Sequence, residues 1–225
     1  MTERGAIDTG TTAGGRAALT EELTGIGDRL RDERVKAGLS QRELARRLGL
    51  SPSLISQLES GLSKPSVGTL YAIVTELDVS LDHIIRGDTA RGRSPAGPEQ
   101  EAPARLVHPN ERDYIDLDSG VRWEQLTRNT EDGVDFLHAI YEVGGTSTPE
   151  ESLMRHHGHE YAYVISGCLG VQLGFDRFEL SPGDSIDFDS TQPHRLYNLG
   201  DEPVHAIWLV LGRDADGRIP DRSDA

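Results

Sequence analysis

The chain has 225 residues and a formal net charge of −15, from 38 Asp/Glu against 23 Lys/Arg, with a mean hydropathy of −0.48. That length allows two small domains with separate cores, and no apolar run approaches the length that spans a membrane. The single cysteine, Cys168, excludes an internal disulfide framework and fits a reducing cytoplasm.

The acid is unevenly spread. Residues 26–86 carry nine Lys/Arg and eight Asp/Glu, whereas residues 106–225 carry nine and twenty-three. A polyanion such as DNA would be repelled by the second half and admitted by the first. The expected DNA affinity is modest and steeply salt-dependent.

Residues 1–20 are rich in Gly, Thr and Ala, without an amphipathic period or the continuous apolar core of a signal peptide, and read as a disordered arm. Apolar residues at Ile26, Leu30, Val35 and Ala37, with Gly38 as a stop, predict a first helix over 26–37. The stretch SQRELARRLGLSPSLISQLESG follows. Ser40 is a good N-cap and Glu43 completes a capping box, so a helix starts at Gln41 and Gly49 ends it. Ser51 is the next N-cap and Pro52 fits the first helical position, so a second helix runs to about Ser60 before Gly61. Leu44, Ala45, Leu48, Leu50, Ile55 and Leu58 form the facing apolar surfaces. Gln41, Ser53, Ser56 and Gln57 face out. This is a helix-turn-helix, and short hydroxyls and amides near the start of its second helix are suited to base edges in the major groove. Ser66 caps a helix carrying Val67, Leu70, Ile73, Val74 and Leu77, and Ser80 caps a short one through Leu81, Ile84 and Ile85. The result is a five-helix domain over 21–86.

Residues 87–105 contain three prolines and no apolar period, and read as a flexible linker that lets the two halves move independently. From Leu106 the period becomes alternating, which predicts an all-β sandwich or barrel over 106–212. The strand candidates are 121–127, 135–143, 160–166, 169–175, 177–180, 185–188, 195–199 and 204–211, with Pro182-Gly183-Asp184 as a turn. Cys168, after Gly167 in an apolar strand pattern, reads as a buried, inert thiol. Residues 213–225 read as a charged tail.

Leu39-Ser40-Gln41, Ala45-x-x-Leu48-Gly49-Leu50-Ser51, Ile55-Ser56, Glu59-x-Gly61 and Lys64-Pro65 resemble the Cro-like (XRE) DNA-binding family. The resemblance implies that Gln41 and Lys64 touch phosphates. It places Ser53, Ser56 and Gln57 nearest the bases, with Ser51 in the same DNA-facing set.

In the second half, Met154-Arg155-His156-His157-Gly158-His159-Glu160 is followed by a distant His194. Two histidines and one carboxylate have the composition of a facial metal triad, and a thioether would add little as a ligand to Fe(II), Mn or Zn. The same side chains could instead line a pocket for an organic ligand. Glu160 to Gly167, then Gly183, His194 and Asn198, resemble the two motifs of the cupin family. The resemblance implies a jelly-roll β-barrel with His156, Glu160 and His194 as ligands of a divalent metal (Fe, Mn, Zn or Ni). It also implies an effector pocket of Met154, His156, Glu160, His194 and Asn198. Met154 stands where a metal-binding cupin has its first His, and Asp189 and Thr191 replace a Pro and a Gly of the second motif. Alternation turns Arg155, Arg195, Tyr161 and Tyr163 away from the lumen, toward surface or subunit-interface roles. Trp123 and Trp208 are expected to fill the barrel or its dimer contact.

The sequence is therefore expected to be a cytoplasmic transcription regulator and not an enzyme. Its partners would be operator DNA, a small-molecule effector and a second copy bound through the cupin. The alternative is a metal-dependent oxygenase, since His156-x-Gly-x-Glu160 with His194 also resembles the iron-dependent hydroxypropylphosphonate epoxidase, a helical domain joined to a cupin. The DNA-facing residues favour the regulator, because a scaffold has no use for them.

Overall fold

The computed structural model of the protein describes residues 13–86, 106–127 and 133–212. The expected linker 87–105 and tail 213–225 lie outside them, as does the arm up to residue 12. Among the described residues the order is α1 (Ala13–Lys36), α2 (Gln41–Leu48), α3 (Pro52–Glu59), α4 (Val67–Leu77) and α5 (Leu81–Arg86). Then come β1 (Tyr114–Leu117), β2 (Val121–Gln125), β3 (Val134–Tyr141), β4 (His159–Ser166), β5 (Leu169–Leu173), β6 (Asp176–Leu180), β7 (Ser185–Asp189), β8 (His194–Asn198) and β9 (Val204–Leu211). No described helix is long and apolar enough to cross a membrane.

The predicted caps form. Ser40, Ser51, Ser66 and Ser80 each accept a backbone N–H three residues on, at 3.1–3.2 Å. Gly49 closes α2 in the left-handed region at φ 67°, where a side chain would be strained. The capping box is only half made. Glu43 turns instead to Arg46 and Arg47, whose guanidiniums hold its carboxyl at about 2. The expected arm is corrected over residues 13–20. They belong to α1, because Ala17, Ala18, Leu19, Glu21 and Glu22 are good helix formers and extend a helix already nucleated further on.

Inside the helical domain, Leu44, Ala45, Ile55 and Leu58 are buried and Leu48 and Leu50 are half-buried. An ion pair fixes α1 against α3. Arg34 and Glu59, only 7% and 6% exposed, meet through two parallel bonds of 2.5 and 2.9 Å. The Arg34 guanidinium also donates to the Leu39 carbonyl, and its pKa is raised by Glu59 against the effect of burial.

The strands form two sheets. One has six strands in the order β1-β2-β3-β9-β4-β7, and the other has three in the order β6-β5-β8, with every pairing antiparallel. Strict alternation on β3 and β9 turns Leu137, Ala139, Tyr141, Val204, Ala206, Trp208 and Val210 inward. β1 was not among the strand candidates. It is four residues long, and two of those, Tyr114 and Asp116, face outward.

The two halves do not stand apart as the linker composition suggests. One apolar cluster runs from Ile26 through α4 into the barrel as far as Val210. The Gly68 N–H donates to the Ser147 carbonyl at 3.2 Å, and the Asp118 N–H donates to the Pro65 carbonyl at 3.0 Å. With threonine at 148, glycine at 68 eases this approach, since a Cβ there would lie 2.8 Å from the Thr148 Cγ2 methyl. Linker composition governs how the chain can move when free, and apolar burial on α4 decides where it rests.

Replacing Glu59 with Ala would strand a buried guanidinium. We expect Glu59→Ala to destabilise the helical domain by about 3–5 kcal/mol. Urea unfolding of the full chain, followed by helical circular dichroism, checks this; a loss under about 1 kcal/mol would mean that solvent reaches Arg34.

Candidate functional site

Two sets of residues are the candidates for functional surfaces. The first lies on the exposed side of α3. Ser53, Ser56 and Gln57 are exposed, while Ile55, Leu58 and Glu59 face the core. Ser51 is exposed, but its hydroxyl is occupied as the N-cap of α3. Gln41 is half-buried, and its amide donates to Glu59 Oε2 at 2.8 Å, extending the Arg34–Glu59 pair. Lys64 is also half-buried and points toward the cupin, with its ammonium 3.7 Å from Asp116 Oδ2 on β1. In this arrangement α3 presents a free polar row, whereas Gln41 and Lys64 already have protein partners.

The second set lies inside the barrel. Glu160 enters on β4, His194 on β8 of the facing sheet, and His156 on the segment leading into β4; they are 1%, 0% and 7% exposed. One atom from each, His156 Nε2, His194 Nε2 and Glu160 Oε1, falls within 4.8 Å of the other two. The carboxylate oxygen is 2.9 Å from His156 Nε2 and 3.2 Å from His194 Nε2. Yet among the described residues none of the three atoms has a partner in hydrogen-bond geometry. They converge on a common point without bonding to one another.

The surrounding bonds explain this orientation. His156 Nδ1 lies 3.0 Å from the His157 carbonyl, and His194 Nδ1 lies 2.8 Å from the Gln192 carbonyl. A carbonyl can only accept, so each Nδ1 carries a hydrogen, and a ring in its neutral form then offers a lone pair at Nε2. Glu160 Oε2 accepts from the Trp208 indole N–H at 2.7 Å, which leaves Oε1 for the common point. Burial raises the Glu160 carboxyl, and only a hydrogen donor or positive charge on the His156 and His194 side brings it below the ordinary carboxylate range, a part that falls to a cation when both Nε2 atoms are bare. Three buried acceptor atoms facing each other repel unless a cation lies between them. Ligands bound at right angles about 2.1 Å from one ion stand about 3 Å apart, so the observed spacings fit a divalent metal.

Met154 is buried beside the triad, and its backbone exchanges two bonds with His194, 2.9 and 2.8 Å long. Asn198 is a correction to the expected effector pocket. Its amide donates to the carbonyls of Tyr141, Glu142 and Glu202, and its Oδ1 accepts the Gly200 N–H, so the side chain is spent on holding turns. Tyr161 and Tyr163 face outward, 43% and 49% exposed. Arg195 is taken up by Thr146 and by the Thr148 carbonyl.

Three contributors escaped the sequence reading. Trp208 donates to Glu160, beyond filling space. Gln125 is 1% exposed on the inner face of β2, with neither amide atom paired among the described residues, and only the alternation of β2 hints at its inward turn. Tyr71 of α4 stacks on the His156 ring, with centroids 4.2 Å apart and planes 9° from parallel, and meets Trp123 edge-on at 5.4 Å. Nothing in the sequence links residue 71 to residue 156.

Comparison with known proteins agrees with this division. A helix-turn-helix family profile matches residues 30–84, and a cupin domain profile matches residues 137–210. The HTH-type transcriptional regulator PuuR of Escherichia coli is 26% identical over 80% of this chain and 91% of its own. SutR of the same organism, also an HTH-type transcriptional regulator, is 28% identical over the same shares. The crystal structure of an HTH_3 family transcriptional regulator from Vibrio cholerae shares the fold, with a TM-score of 0.62 and 22% identity over 86% of this chain and 98% of that one. Hydroxypropylphosphonic acid epoxidase of S. wedmorenis covers 85% of this chain and all of its own at 20% identity, but its TM-score of 0.43 is too low to speak for chemistry. Residues 30–84 thus match a helix-turn-helix family and residues 137–210 a cupin domain, and over most of its length the chain is similar to HTH-type transcriptional regulators.

Proposed function

We propose that this protein is a transcription regulator that reads operator DNA through α3 and senses a small molecule through its cupin, as a cytoplasmic homodimer. The observation that carries the reading is the free polar row of Ser53, Ser56 and Gln57 on a helix whose opposite side is anchored in the core. Side chains of these types, held at the start of a rigid helix, suit base-edge hydrogen bonds. Selection of bound duplexes from a random DNA pool by the purified full chain tests it. A two-fold symmetric site should be enriched, and Gln57→Ala should relax the preference at one position in each half-site at a cost of about 1–3 kcal/mol. No enrichment, with about one iron per chain in the same preparation, would instead favour the oxygenase.

We infer a divalent metal at the triad, held by His156 Nε2, His194 Nε2 and Glu160 Oε1. Bound there, the ion would leave coordination positions open to an oxygen of the effector. The chain's own part is orientation. The His157 and Gln192 carbonyls fix the two ring tautomers, and Trp208 steers the carboxylate. Trp208→Phe keeps the bulk and removes the donor, so it should weaken metal binding about 10- to 100-fold in competition with a chelator. Equal affinity in the variant would show that Trp208 only fills space.

The dimer reading rests on the outer face of the six-stranded sheet. Phe136 and Tyr161 flank Leu209, and Tyr163 lies beside Ile207, in register across β3, β9 and β4. Tyr163 and Ile165 are about half exposed, so this face carries aromatic and aliphatic side chains where polar ones would be expected against water. A second copy would cover it, and a two-fold pair would match a palindromic operator. Ile207→Glu should turn a dimer into a monomer in sedimentation velocity, with the barrel still folded by circular dichroism. A dimer that survives the charge would place the contact elsewhere.

A further inference from the structure

The side chain that closes the cupin triad comes from the other domain. We infer that segment 64–71 of the helix-turn-helix domain is the removable wall of the cupin chamber, with Tyr71 as a residue of the His156–Glu160–His194 site. The inference builds on the proposed reading of the triad as a binding site.

Four contacts carry it. The Tyr71 ring, 4% exposed, lies flat on the His156 ring and against Trp123, so it covers the triad at its His156 ring. Gly68 brings the first turn of α4 against Thr148 and Met154, and its N–H bonds the Ser147 carbonyl. The Pro65 carbonyl accepts the Asp118 N–H, and Lys64 reaches Asp116. From residue 64 to residue 71 the helical domain thus follows the rim of the barrel, and the triad beneath is sealed.

A sealed site must open to load. Each sheet of the barrel is an antiparallel ladder held by runs of backbone bonds, whereas among the described residues the polar links of segment 64–71 to the barrel include two backbone bonds and one long ion pair, beside the apolar and ring contacts of α4. Local opening follows the weakest set of contacts. Here that set is the domain junction, so admission of a ligand and displacement of α4 are one event. A ligand larger than an ion must either displace Tyr71 or rest against it, and an aromatic wall favours a flat or apolar group on that side.

A disulfide across the junction tests this in the full chain. Gly68→Cys with Thr148→Cys, on a Cys168→Ser background, locks the wall when oxidised and frees it when reduced, so one folded protein serves as its own control. Diethyl pyrocarbonate labelling of His156, read by mass spectrometry, should be at least tenfold slower in the oxidised form, while exposed His157 labels equally in both. Cobalt(II) uptake, followed by its visible absorption, should slow to the same degree. Equal labelling of His156 in the two forms would overturn the inference. Labelling gated by the disulfide, with no cobalt bound in either form, would uphold the wall and count against the metal reading alone. Tyr71→Ala, if it folds, should label His156 faster than the unaltered protein in both redox states, and an unchanged rate would equally overturn the role of Tyr71.

Discussion

The structure turns on one carboxylate that cannot reach water. Glu160 is 1% exposed at the centre of an apolar barrel, and an isolated charge in such a place would cost several kcal/mol even after relaxation. Everything around it answers that cost. The indole N–H of Trp208 takes one oxygen, and two imidazoles, each fixed by a backbone carbonyl, crowd the other. An arrangement evolved only for stability would replace such a buried polar cluster with apolar side chains, often without loss. Its retention, with three acceptor atoms aimed at one point, is better explained by a cation than by packing.

The same demand extends beyond the cupin. A site that must stay dry needs a complete wall, and the three-stranded sheet is half the width of the sheet it faces. In this chain α4 makes up part of the difference. Val67, Leu70, Ile73 and Val74 belong to the helical core, and Tyr71, one turn along the same helix, belongs to the barrel. One helix therefore serves two cores, and its rigidity carries any displacement of Tyr71 into the domain that holds α3.

Local chemistry made much of this legible in the sequence. Serine caps, the Gly49 stop and the apolar positions of α2 and α3 are short-range signals, and each appears where its physics requires. The triad is legible through the resemblance to the two cupin motifs, and alternation accounts for the inward turn of Glu160 on β4 and His194 on β8, while His156 lies outside any strand. What escaped depends on partners distant in sequence. Asn198 looks like a pocket residue until its amide is seen to hold three carbonyls from two other segments. Gln41 looks free until Glu59, on the next helix, takes its amide. Tyr71 looks like one more apolar residue of α4, because its ring contacts lie in another domain.

The charge division between the halves gains a meaning from the junction. The acidic cupin and a nucleic-acid backbone present the same chemistry to the helical domain, and Lys64, expected at a phosphate, is held here by the carboxylate of Asp116. At 3.7 Å and partly exposed, that pair is weak and screened by salt. A row of phosphates offers a denser negative field than one aspartate already shared with Arg122. Under the proposed reading, DNA would compete with Asp116 for Lys64, and a ligand beneath Tyr71 would act on the same junction. Both would act on the contacts of segment 64–71, which is the minimum a sensor of the proposed kind needs to connect its ligand to its DNA.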